Sequence, residues 1–68
     1  MTPRERFTAA GVRSARKLGY TATFLRDRAA VYRRNALAYT SEEAREQALG
    51  LAYHYEQVAA ALETEKES

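Results

Sequence analysis

Sixty-eight residues, 46% of them hydrophobic and none of them cysteine, make one domain at most, and exclude disulfides and thiolate metal sites as its staples. Stability must come from tight helix packing or from a partner subunit. The formal net charge of +2 hides a division: residues 1–39 carry nine basic side chains against Glu5 and Asp27, and residues 40–68 carry Arg45 and Lys66 against seven glutamates.

The first helix is predicted over about residues 3–18. Thr2 is a good N-cap, Pro3 suits the first helical position, and Glu5 stands where a capping-box glutamate reaches back. Its apolar stripe is thin, and Gly11 inside it costs about 1 kcal/mol relative to alanine. Gly19 offers a left-handed stop.

The second helix is predicted over about 21–39, with Leu25, Ala29, Tyr32, Ala36 and Tyr39 forming a seam of period near 3.5 residues. Thr40 and Ser41 follow as a two-residue link in which either hydroxyl can cap the next helix, Glu43 standing where it would complete a capping box with Thr40. The third helix is predicted over about 41–64, with its seam on Ala44, Ala48, Leu51, Tyr55, Val58 and Leu62 and a solvated tail over Glu65–Ser68.

So short a link makes the last two helices antiparallel neighbours. Counting outward from it places Tyr32 opposite Leu51, Ala29 opposite Tyr55 and Leu25 opposite Val58. On this register Leu51 is a core residue, and Leu51→Asp is expected to unfold the pair. The fold class is all-α: an antiparallel helical hairpin plus a short N-terminal helix, completed as a bundle by self-association. One domain spans 1–68.

Apolar residues remain outside this seam. Phe24, Val31, Gly50, Ala52, Tyr53 and Ala59 are the expected partner interface, to be covered by the N-terminal helix or by a second chain. Gly50 costs helix stability unless another backbone or a ligand approaches it closely.

Enzyme signals are missing. His54 is the single histidine, and its helical neighbours Gly50, Leu51, Gln57 and Val58 offer neither a metal ligand nor an acid–base partner. The expectation is a non-enzymatic chain with no cofactor, no metal site and no small-molecule substrate. No segment reaches the roughly 20 apolar residues of a membrane helix, and no secretory leader is visible, so a cytoplasmic chain without membrane contact is expected.

The stretch from Ala15 to Arg26 reads Ala-Arg-Lys-Leu-Gly-Tyr-Thr-Ala-Thr-Phe-Leu-Arg. Over residues 12–28 the chain resembles a helix-turn-helix DNA-binding unit. Ala15 is the small crossing residue, Leu18-Gly19-Tyr20 the turn, Thr21 the cap and Leu25 the inner apolar residue, while Arg28 stands where the next apolar residue belongs. The resemblance implies nucleic-acid contact by Thr21, Thr23, Arg26 and Arg28, with Arg13, Arg16 and Lys17 at phosphates. Residues 24–64, through Val31-Tyr32-Arg33-Arg34-Asn35-Ala36 and Ala44–Ala52, resemble short uncharacterised bacterial helical-hairpin proteins.

Two functions follow as expectations. The first is a small regulatory interaction protein that binds a larger protein partner or forms a homo-oligomer through an exposed apolar helix face. The alternative is a nucleic-acid-binding regulator using the basic half.

Overall fold

The computed structural model describes residues 2–67 and the side chains of residues 2–64. It is all-helical: α1 spans Pro3–Leu18, α2 Ala22–Ala38 and α3 Glu42–Glu67, with no strand among the described residues.

Local chemistry sets the boundaries. The Thr2 hydroxyl accepts from the Glu5 amide at 3.2 Å, and the Glu5 carboxylate accepts from the Thr2 amide at 3.2 Å, so the capping box satisfies both orphan donors. At the other end Gly19 turns left-handed (φ 77°), and the Tyr20 amide donates back to the Ala15 carbonyl at 2.8 Å. Thr21 caps α2 through the Phe24 amide at 3.1 Å. Ser41, not Thr40, caps α3: its hydroxyl accepts from the Ala44 amide at 3.3 Å and its carbonyl from the Arg45 amide at 3.0 Å. Glu43 thus sits one position too early for the expected box. α3 also runs on to Glu67, past the fraying expected at Thr64; the last residue of the expected tail, Ser68, lies outside the described residues.

α3 is the spine. α2 packs along it and α1 packs on it, and α1 does not pack along α2. The cross-contacts between α2 and α3 climb one helix as they descend the other: Arg26 pairs with Glu63, and Arg33 with Glu56. α1 climbs α3 in the same sense as α3 itself, with Arg4 over Tyr53, Gly11 against His54 and Val58, and Arg16 near Leu62 and Glu63. The three helices meet at one apolar cluster of Val12, Ala15, Leu25, Val58 and Ala59, flanked by Ala22, Tyr55, Ala61 and Leu62.

The contact between α2 and α3 is lined with alanine. Ala29, Ala36, Ala48, Ala52 and Ala59 are all buried, which lets the two backbones approach closely. The seam on α2 is where the sequence puts it at Leu25, Ala29 and Ala36, while Tyr39 is exposed. The seam on α3 is rotated: Ala52 and Ala59 are sealed at 0% exposure, whereas Leu51 is 45% exposed.

The register differs for a physical reason. Tyr32 stacks on Tyr55, not Leu51, at 5.5 Å between ring centroids. A helical side chain leans toward its own N-terminus, so in an antiparallel pair the two leans oppose each other. A ring on α2 therefore meets the residue one turn further along α3 than a count of Cα positions suggests. Leu51→Asp is accordingly expected to leave helicity intact and to cost about 0.5 kcal/mol or less, as surface changes do. A melting curve by circular dichroism checks this, and collapse of the helical signal would restore Leu51 to the core.

Gly11 has a role the sequence does not suggest. A Cβ there would lie 2.5 Å from Val58 Cγ2 and 3.3 Å from His54 Nε2. Its missing side chain is the space that lets α1 close on α3. Gly50, by contrast, has nothing within 4 Å of such a Cβ.

Candidate interaction surface

The hinge end of the molecule, around Tyr39–Ser41, is where α1 no longer reaches. α1 begins beside Tyr53, so the first turns of α3 have only α2 for a neighbour. Leu49, Leu51 and Tyr53 are all exposed there, and Leu37 on the last turn of α2 stands out at 86%. Phe7 on α1 is exposed close by and shares a groove of about 310 Å³ with Arg4, Tyr53, His54 and Gln57.

Electrostatics pin this surface lightly. The Arg4 guanidinium lies 5.3 Å from the centre of the Tyr53 ring and donates to its hydroxyl at 3.5 Å. Arg28 lies similarly over Tyr32 at 5.7 Å. Burial, with the neighbouring Tyr32, raises the Tyr55 hydroxyl above its ordinary range. The Glu63 carboxyl is held below its usual value by the hydrogen-bonded Arg26 guanidinium. That pair helps only above the ordinary carboxylate range, loses its contribution as pH falls through the lowered value, and is screened because both groups are exposed.

The expected partner interface does not form one patch. Ala52 and Ala59 are buried inside the chain and offer nothing to a partner. Val31 is two positions from buried Ala29, and so on the opposite side of α2. Phe24, two turns before Val31 on the same stripe, stacks on Tyr20 at 4.6 Å. Gly50 and Tyr53 lie on the outer side of α3, and Gly50 meets no other backbone within the chain. Leu49, Leu37 and Phe7 carry more exposed apolar surface than most of the expected set; Leu37 and Leu49 fall outside the seam by their spacing, while Phe7 reads as part of the apolar stripe of α1.

The expected nucleic-acid residues divide likewise. Arg13 and Lys17 are exposed on α1, on one stripe with Arg6 at helical spacing. Arg16, Thr21 and Thr23 line a cleft of about 630 Å³ with Tyr20, Leu62 and Glu63. Arg26 is held by Glu63 and Arg28 lies over Tyr32, on opposite sides of α2, so the two do not read one groove together. α2 is laid along α3 for its length, and its outer side carries Thr23, Asp27 and Arg34 rather than a basic stripe.

Among the described residues no group of three or more His, Cys, Asp or Glu side chains could hold a metal ion, and no helix is long and apolar enough to cross a membrane. No protein-family model, curated protein or solved structure matches the chain.

Proposed function

We propose that this chain is a small, non-enzymatic interaction protein. Its α2–α3 pair is an antiparallel helical hairpin, braced by α1 at one end, and it works by docking the uncovered hinge end on another polypeptide, so completing a helical bundle. The observation that carries the reading is the exposure of Leu49 and Tyr53, one turn apart on the same side of α3 just beyond the start of α1, with the exposed ring of Phe7 beside Tyr53. Contiguous apolar surface of this kind is what a protein contact buries.

An apolar fluorescent dye is the test. At concentrations low enough to hold it monomeric the folded chain is expected to bind it, and the double variant Phe7→Asp with Leu49→Asp to lose that binding while keeping its helicity and its tyrosine circular dichroism. Absence of dye binding by the folded wild-type monomer, or unchanged binding by the variant, overturns the reading.

A second reading has an observation of its own. Arg6, Arg13 and Lys17 form an exposed basic stripe along α1, which suits a phosphate backbone better than a base-reading role. Three phosphate contacts imply about a 40-fold loss of duplex DNA affinity between roughly 50 and 200 mM salt. Fluorescence anisotropy with generic duplex at both salt concentrations checks it, and no binding at low salt removes it.

A further inference from the structure

We infer that the polypeptide covering the hinge end is a second copy of this chain, joined about a two-fold axis at Gly50. This rests on the docking reading above and names its occupant.

The argument begins with the order of chemistry along one stripe of α3. Glu46, Gly50 and Tyr53 follow at spacings of four and three, so they share a side of the helix. Glu46 lies about 6 Å along the axis on one side of Gly50, and Tyr53 about 4.5 Å on the other. Over Tyr53 sits Arg4, the start of α1. The surface therefore runs from acid through a bare glycine to base.

A two-fold axis at Gly50 reverses that order in the second copy. Glu46 of each chain then meets Arg4 of the other, twice over, and the exposed rings of Phe7 and Tyr53 and the side chain of Leu49 lie between these contacts. Self-complementarity about a point is what an isologous interface requires. An unrelated partner would not demand that acid and base lie at matched distances from one residue. Glu46 forms no ion pair among the described residues, so it is available for this contact.

Gly50 gains a purpose in this arrangement. Within one chain it weakens α3 and meets nothing. At a crossing of two α3 helices it is the point where the backbones come closest.

Light scattering and sedimentation equilibrium on the full chain test the inference. The expected mass at high concentration is twice the chain's 7.7 kDa. Glu46→Arg alone and Arg4→Glu alone each set like charges opposite each other twice, and each should raise the dissociation constant about tenfold. Mixing the two variants makes both contacts favourable again, and a heterodimer should form with the wild-type constant. Gly50→Gln should melt higher than the wild type in dilute solution, yet fail to dimerise.

A wild-type chain that stays at 7.7 kDa overturns the inference, and dye binding by that same monomer leaves the docking reading standing. A dimer indifferent to both reversals, or weakened variants that do not rescue each other, overturns the two-fold contact at Gly50 while association itself remains. Loss of dye binding and of association together defeats both.

Discussion

Leu25→Ala is expected to abolish cooperative melting of this chain near physiological temperature. Leu25 is 2% exposed and lies where all three helices touch, against Val12 and Ala15 from α1 and Val58 and Ala59 from α3. Cutting a buried leucine to alanine costs about 2–5 kcal/mol, the upper end applying where the surroundings cannot collapse into the space. Here the neighbours are mostly alanine and valine, already short, so little can move in. At about 0.05–0.15 kcal/mol per residue, a domain of this size holds roughly 3–10 kcal/mol in total. The substitution removes most of that. Thermal and urea melts followed by circular dichroism give the measurement, and a midpoint lowered by only a few degrees would show that the three-helix junction does not hold the fold together.

The same substitution at two glycines is expected to act with opposite signs. Gly50→Ala should stabilise the chain by about 1 kcal/mol, because alanine is the better helix former and the new methyl group meets only solvent. Gly11→Ala gains the same propensity but drives its methyl into Val58 Cγ2, 2.5 Å away. Val58 is β-branched, stiff at χ1 and buried, so it cannot swing aside. Overpacking of this kind costs about 1–3 kcal/mol, leaving a net loss of about 1 kcal/mol and a swing of about 2 kcal/mol between the two sites. Urea melts at concentrations low enough to hold the chain monomeric measure both. Hydrogen exchange adds location, since Gly11→Ala should loosen the amides of α1 before those of α2. Stabilisation by both substitutions would mean that α1 does not close on α3 at Gly11.

The two glycines also bear on the candidate surface. Gly11 admits α1 to the later turns of α3, and α1 starts beside Tyr53. The length of α1 thus sets how much of α3 stays open. Leu51 lies seven residues before Val58 and so on nearly the same stripe. Val58 is sealed because Val12 and Ala15 lie over it, and Leu51 is wet because α1 has run out.

Much of the architecture was legible from residue order. The start of α1, its end at Gly19, the cap at Thr21 and the buried positions Leu25, Ala29 and Ala36 all rest on short-range causes: a hydroxyl three residues from an amide, a glycine that tolerates positive φ, apolar side chains at helical spacing. The candidate surface was less legible. Phe24 and Tyr53 are exposed, whereas Ala52 and Ala59, expected at the surface, are buried, and Leu51, expected in the core, is half-exposed. Arg13 and Lys17 lie free along α1, whereas Arg26 and Arg28 are turned to different partners by Glu63 and Tyr32.

Local sequence by itself determined three helices, their caps and the apolar stripe of α2, because each follows from groups a few residues apart. Only the tertiary structure decided the rotation of α3, the pairing of Tyr32 with Tyr55, and the role of Gly11. Those depend on the opposed lean of side chains across an antiparallel pair and on where α1 lands along α3. Neither is written in the spacing of any one helix.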